Sequence, residues 1–449
     1  QGVIEARNKL ASSERAYERM VKRRPLHPKP LLDEPSLRCF LDRHGVKHVH
    51  MGTIWRHALA HPECRLDEIP GIPDKIRGPL QDEFTLCTST VVESMTSQVD
   101  GTMKLLIRLQ DGGEVEAVLI RMKGHDTLCL SSQVGCRLGC TFCATGTMGL
   151  QGNLWAGEIQ EQLLHAQSVR SVSNVVFMGM GEPLENYDAV ASAITGLSDT
   201  HRFGLAPSSI TVSTVGIVGN IRRLIEELPK VKLALSLHAP TQELRERLVP
   251  AGRSFKVDDL MQVIDDYAAL HAGDGKKKGM IMVSYVLLKD VNDSLECAEQ
   301  LRDLLVDRPV IVNLIPYNPF EGNQYNYESP APEQFYAFLR VLMAADIRVL
   351  ERRHHGRDIS AACGQLAKLG TSAVTTDLEN CGVNLSPQKT TGPAVAPPLK
   401  KEAAGRNESA IAVSGCMSKM IPAILICGLA ALLLSQRSFR RLQWKSPIL

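Results

Sequence analysis

Apolar positions early in the chain recur every three to four residues. Leu37, Phe40 and Leu41, then Met51, Ile54, Trp55 and Leu59, stand at helical spacing, with Gly45 and Pro62 as interruptions. A small helical domain over residues 31–89 is the expectation. The period then shortens towards two. The runs 91–98, 102–109 and 114–120 are β-type, and Asp100-Gly101 and Asp111-Gly112-Gly113 between them are hairpin turn signals, which predicts a β-meander over 90–126. Beyond it, apolar runs at 128–133, 174–178, 209–214, 231–237, 280–288 and 310–315 alternate with helical stretches at 158–169, 217–228, 295–305 and 332–345. Such an alternation predicts an α/β fold, a parallel sheet or partial (βα)6-type barrel over 127–370, with its chemistry at the strand ends.

The two ends break this pattern. Residues 1–30 carry eight basic side chains against three acidic ones and finish in Pro25, Pro28 and Pro30; a flexible basic arm reaching a polyanion and a solvated tail both fit. Residues 371–415 are rich in Thr, Ser, Pro, Gly and Lys and read as a disordered linker. The segment 416–449 contains the uncharged run 420–435, MIPAILICGLAALLLS, with Arg437, Arg440, Arg441 and Lys445 behind it. That run is short of the ~20 residues that span a bilayer, so a membrane contact, a partner-binding helix and an artefact of gene prediction stay open. The chain begins at Gln1, and localisation is not read from that end. The cytoplasm is the expectation, with a plastid or mitochondrion the alternative.

Composition adds limits. With 449 residues, 44% hydrophobic and 22% charged, the chain has material for a large core and is neither disordered nor fibrous in class. A formal charge of +2 excludes a uniformly basic nucleic-acid coat but allows a local basic patch. The histidines at 44, 48, 50, 57 and 61 have no Cys or carboxylate at matching spacing and read as surface or partly packed. The twelve cysteines are scattered except for a knot at 129–143, unlike a disulfide-dense secreted scaffold. Metal or redox chemistry in a reducing compartment fits them better.

Within SSQVGCRLGCTFCATGTMG, Cys136, Cys140 and Cys143 have C-x3-C-x2-C spacing. Zinc sites and electron-transfer clusters commonly recruit four ligands, and no second C-x2-C pair occurs in this sequence. Three thiolates on a 4Fe-4S cluster leave one iron open. The spacing, with Phe142 before the last cysteine and a β-run just upstream, resembles the signature of the radical S-adenosylmethionine (SAM) superfamily. That resemblance implies a cluster whose open iron chelates SAM and cleaves it to a 5′-deoxyadenosyl radical. One βα unit later, NVVFMGMGEPL puts Gly179, Gly181 and Glu182 at a strand end, where glycine admits close backbone approach and the carboxylate suits an ammonium group. Ser213, Ser236, His238, Asn313 and Asn318 end further strands. Polar side chains there suit one cavity at the barrel mouth, although His238 alone also reads as a structural histidine.

These runs, together with LALSLHAP, NLIPYNPF and DISAACGQLA, make the stretch 37–369 similar to the dual-specificity radical-SAM adenine C2 methyltransferases of 23S rRNA and tRNA. The resemblance implies a partial (βα)6-type radical-SAM barrel behind a small helical RNA-binding domain. It implies a 4Fe-4S cluster on Cys136, Cys140 and Cys143, two SAM per turnover, and SAM contacts at Gly181, Glu182, Ser213, Ser236, Leu237, His238 and Asn318. Cys363, by its neighbours alone a small buried hydrophobe, becomes the methyl carrier, and a methylene radical formed on its sulfur adds to adenine C2. Glu116 then removes the ring proton, with Glu114 close enough to be confused with it, and Cys129 attacks the Cys363 sulfur to free the product as a disulfide forms. The implied partners are rRNA and tRNA, whose target adenine must leave its stack, and an electron donor of flavodoxin or ferredoxin type.

Two alternatives accompany this reading. Adenine C8 methyltransferases of the same family share the cluster and both extra cysteines. A non-catalytic Fe-S or zinc-stabilised RNA-binding protein would have no need of Cys129 and Cys363. Residues 371–449 lie beyond the resemblance.

Overall fold

The computed structural model describes residues 25–122, 124–270, 280–352 and 355–367, which belong to one compact unit. The expected arm up to residue 24, the linker and the run 420–435 lie outside the described residues. Three helices come first: α1 (Glu34–Arg43), α2 (Val49–Ala60) and α3 (Asp74–Glu83). Asp33 caps α1 by accepting from the Ser36 N–H, and Pro35 sits in its first turn, where a helix needs no N–H donor. The stripe Leu37, Phe40 and Leu41 packs with Met51, Ile54 and Trp55 of α2 and Ile76 and Leu80 of α3 into an apolar core of its own. The Trp55 ring N–H donates to the Leu31 carbonyl at 2.9 Å. Short parallel strands β1 (Lys29–Pro30) and β2 (Phe84–Thr85) flank this module.

The rest is built on one ten-stranded sheet. Its antiparallel part is β3 (Thr90–Thr96), β4 (Met103–Arg108) and β5 (Glu114–Met122). β6 (His125–Cys129) follows, and β7 (Gln133–Cys136) pairs with β8 (Gly149–Asn153) in a separate ribbon framing the cysteine loop. The sheet continues through β9 (Asn174–Phe177), β10 (Ile210–Thr214), β11 (Lys232–Ser236), β12 (Ile281–Leu287), β13 (Val310–Pro316) and β14 (Arg348–Glu351). Its order is β14-β13-β12-β11-β10-β9-β6-β5-β4-β3, and every pairing from β6 to β14 is parallel. The six apolar runs of the sequence correspond to β6 and β9–β13. β14 adds a seventh parallel strand that the pattern did not disclose, because RVLE is short and incompletely buried at the sheet edge. The meander is no free-standing linker: β5 pairs with β6, so β3–β5 extend the same sheet.

The sheet is open in its pairing, yet its two ends meet through loops. Asp100, in the β3–β4 turn, accepts from the Gly356 N–H at 3.0 Å and faces His355 at 3.3 Å. Lys104 of β4 donates to the Ser360 carbonyl at 3.4 Å. This curl brings the segment after β14 back against β4–β6.

Helices α4 (Ala144–Thr147), α5 (Ala156–Gln167), α6 (Tyr187–Ser198), α7 (Val218–Glu227), α8 (Gln242–Leu248), α9 (Val257–Leu270), α10 (Leu295–Leu305) and α11 (Pro332–Ala344) connect the strands. α5 is unusual in burying polar side chains as well as apolar ones. Gln160 donates to the Leu32 carbonyl at 2.9 Å, and Gln162 both accepts from and donates to the backbone of Ser131. The Glu161 carboxylate takes N–H and hydroxyl donors from Thr88 and Ser89. Burial obliges these groups to find partners, and the partners lie on the helical module, the lead-in to β3 and the loop after β6. No helix among the described residues is long and apolar enough to cross a membrane.

Candidate active site

All seven parallel strands run into one cavity. It is lined by Cys136, Cys140 and Cys143 after β6, Gly181 and Glu182 after β9, Ser213 on β10, Ser236 and His238 from β11, Ser284 on β12, Asn318 after β13, and Arg352 and Cys363 after β14. Cys129 lies in an adjoining pocket of about 30 Å³, whose lining includes Asn318, Arg352, His355 and again Cys363. Glu116 and Leu237 line neither space. The Leu237 side chain is in the hydrophobic core and its N–H donates to the Ser284 carbonyl at 3.1 Å. Glu116 is buried on β5, paired with Lys104 at 3.0 Å, and accepts from the Ala367 N–H.

The cysteine loop wraps a small apolar patch of its own, in which Leu138 and Phe142 meet Val215, Leu248, Val286 and Tyr317. Two backbone bonds anchor it, Thr141 N–H to the Leu248 carbonyl (3.0 Å) and Ala144 N–H to the Gly364 carbonyl (2.8 Å), so the loop is fastened directly to the segment carrying Cys363. Burial pushes the thiols of Cys136, Cys140 and Cys143 up, that of Cys136 to about 12. Bare sulfurs there stay protonated, and a bound cation would displace the protons. Backbone N–H groups of Leu138 and Gly146 bond the Cys136 and Cys143 sulfurs, and the buried guanidinium of Arg245 stands close enough to Cys140 to interact with it. N–H···S donors and a nearby cation are what an anionic iron-sulfur cluster needs around it. The three sulfurs therefore fit a 4Fe-4S cluster.

The turn after β9 packs tightly on the chain leading to Cys136. Gly181 has φ +96°, and a Cβ there would sit 2.5 Å from the Gln133 side chain; at Gly179 a Cβ would sit 2.6 Å from the Leu130 carbonyl. Only glycine fits either position. Glu182 donates its N–H to Gln133 (2.8 Å), and its carboxylate accepts from the Leu184 and Val215 N–H groups, both at 3.0 Å. Burial lifts this carboxyl to about 7 against those donors. An ammonium group arriving in the cavity would hold it ionised. The Ser213 and Ser236 hydroxyls lie 3.3 Å apart. His238 has φ 63°, and its carbonyl accepts from Asn292 at 2.8 Å. Burial drives its imidazole down to about 3. Because Nδ1 accepts from the Val286 N–H at 3.1 Å, the ring proton is on Nε2.

Lys104, Arg245 and Arg352 went unread in the sequence. None belongs to a spaced motif, and each acquires its neighbour through folding. Outside this site, Cys87, Glu161 and His165 hold ligand-type atoms within 4.8 Å of one another. The Glu161 oxygens are already occupied by Thr88 and Ser89, so that carboxylate is an anchor for the loop before β3.

A family model described as the Radical SAM superfamily matches residues 130–305. The chain is 39% identical over 337 residues to the probable dual-specificity RNA methyltransferase RlmN of Rhodopirellula baltica, covering 74% of this chain and 88% of that one. It is 40% identical over 342 residues to the dual-specificity RNA methyltransferase RlmN 1 of Myxococcus xanthus, covering 75% and 92%. The chain belongs to the dual-specificity RNA methyltransferase family. A crystal structure of a radical SAM methyltransferase from Sphaerobacter thermophilus matches the fold with a TM-score of 0.67 at 36% identity, over 76% of this chain and 99% of that one. As a radical-SAM member of this family, the protein is an enzyme that uses SAM and a 4Fe-4S cluster.

Proposed function

We propose that this protein forms 2-methyladenine in 23S-type rRNA and in tRNA through a methylated Cys363, using two SAM molecules per turnover. The observation that carries the reading is the position of Cys363, which lines both the cavity of the three-cysteine loop and the small pocket of Cys129. Cys136, Cys140 and Cys143 would hold a 4Fe-4S cluster that, with SAM bound, would supply the 5′-deoxyadenosyl radical. Glu182 receives the ammonium group of SAM, while Gly181, Ser213, Ser236 and the Leu237–His238 turn shape the rest of its seat. His238, neutral across the working pH range, donates from Nε2. Asn318 donates to the Cys363 carbonyl at 3.2 Å and so tethers the backbone that carries that sulfur.

Glu116 is the base for the adenine C2 proton. Burial raises its carboxyl, and the Lys104 ammonium opposes that rise, which leaves a base stronger than an ordinary carboxylate. Cys129 resolves the adduct on Cys363. The target adenine must leave its stack to reach the cavity. A flavodoxin- or ferredoxin-type protein donates the electron, and the cytoplasm is where the two RNAs would be met. The run 420–435 is the segment through which any membrane contact would be made.

The test is anaerobic reconstitution with iron and sulfide, incubation with rRNA and tRNA, nucleoside digestion and mass spectrometry. The expected product is 2-methyladenosine; 8-methyladenosine in its place would overturn the C2 assignment, and RNA binding without methylation by the cluster-loaded protein would overturn catalysis. Cys363→Ala should abolish methyl transfer with iron content retained, and Cys129→Ala should accumulate a covalent RNA adduct.

A further inference from the structure

The pocket between Cys129 and Cys363 holds a permanently charged side chain for which the steps above have no use. Arg352 follows β14 directly. Its backbone N–H donates to the Leu314 carbonyl at 2.9 Å, and its Nη1 reaches the Met178 sulfur at 3.5 Å, so the side chain spans from the β14 end to the β9 end. In that position it lines both the main cavity and the small pocket. The small pocket has room for a water or two and none for a nucleobase. Arg352 therefore stands where the pocket of Cys129 and the cavity of Cys363 adjoin.

We infer that Arg352 is a positioning residue of the resolution step, its guanidinium favouring the thiolate form of Cys129 for the attack on Cys363. This rests on the roles proposed above for the two cysteines. In that step the thiolate electron pair forms the S–S bond and the bond between the Cys363 sulfur and the adenine-borne carbon breaks. Its electron pair stays on that carbon, which takes up a proton and becomes the methyl group. The two cysteines are oxidised to a disulfide, and the carbon gains the same two electrons.

The attacking species must be a thiolate, and the surroundings of Cys129 resist one. Burial, and then the neighbouring Cys363 sulfur, push its thiol up to about 12; Arg352 and an N–H bond from Met178 act in the opposite direction. A guanidinium suits the task because it cannot lose its proton and is weakly hydrated, so it tolerates a half-buried position. The other ionisable groups near the pocket, His355 on its wall among them, face charges of their own. His355 faces Asp100 at 3.3 Å, and Glu116 is paired with Lys104 at 3.0 Å.

The experiment is a single-turnover reaction of the reconstituted holoenzyme with tRNA, quenched over a range of pH. The RNA–protein adduct is followed on denaturing gels and the Cys129–Cys363 disulfide by mass spectrometry. Arg352→Gln should form the adduct at a near-normal rate and resolve it about tenfold more slowly at neutral pH, one pKa unit being a tenfold change in thiolate. Its resolution rate should go on rising to higher pH than in the parent, and Arg352→Lys should recover part of the loss. Met178→Leu, which removes the sulfur that Nη1 reaches, should shift the profile the same way by less. An unchanged pH profile of resolution in Arg352→Gln overturns the inference, as does slowing confined to adduct formation. If Arg352→Gln loses iron, Arg352→Lys and Met178→Leu carry the same comparison. Cys129→Ala separates the two levels: absence of a trapped adduct defeats the reading of the cysteines, whereas a trapped adduct beside an unmoved Arg352→Gln profile defeats this inference alone.

Discussion

Two cavities in this protein differ more in what lines them than in what they hold. The larger, about 660 Å³, lies where α2 of the helical module faces α6 and the segments flanking α7, and its walls include Val49, Met51, Trp55, Ile194 and Leu228. The smaller, about 140 Å³, lies at the carboxyl ends of the parallel strands and gathers four cysteines, Glu182 and His238. Volume therefore does not locate the chemistry. Parallel strands do, because each delivers its following residue to the same end of the sheet. Pushed-up thiols, a carboxyl near neutrality and a histidine held neutral are concentrated there, as perturbed groups are at functional sites. In the larger cavity polar groups pair with each other, as in Arg202 with Glu34 (2.7 Å) and His201 with Asp199 (3.0 Å).

Substitutions can break or sharpen this contrast. Cys140→Ala should remove most of the cluster iron and reduce methylation below detection, while Met51→Ala in the larger cavity keeps the iron; equal iron loss in both would erase the distinction. Lys104→Met comes next. Removing the cation that lowers Glu116 lets burial raise this carboxyl further, so the acidic limb of the single-turnover rate should move to higher pH, with activity on that limb falling about tenfold. A limb that stays in place would take the base role from Glu116.

Glu161→Gln tests the wiring that supports the site. It would turn an amide NH2 towards the N–H donors of Thr88 and Ser89, at a cost of about 1–3 kcal/mol, read as a lower melting temperature with the cluster still bound. Val49→Glu should do least. Val49 is 74% exposed beside the larger cavity, and kcat should stay within about twofold; a large loss of kcat would assign that cavity a part in the chemistry.

Particular residues show where the sequence was legible. α10 was anticipated over its full length, because its apolar stripe is regular and Ser294 caps it. The parallel strands were visible as continuous apolar runs, since both faces of such a sheet are covered. β14 was missed because an edge strand lacks that cover. The meander was visible as hairpins, but its union with β6 depends on a partner strand that turn signals do not encode. Arg245 was equally hidden, since an arginine in TQELRERL reads as one more charge on a solvated helix face until the fold buries it beside Cys140.

By itself, the sequence determined the α/β class, six of the seven parallel strands and the spacing of Cys136, Cys140 and Cys143. Period and spacing are local properties, and a loop that follows a strand stays with that strand. Tertiary structure alone decided which distant groups share a space: Cys129 with Cys363, Glu116 with Lys104 and Ala367, Arg352 with Met178. All depend on the curl that returns the chain after β14 to β4–β6, and periodicity reports the face a residue occupies without naming what arrives opposite it.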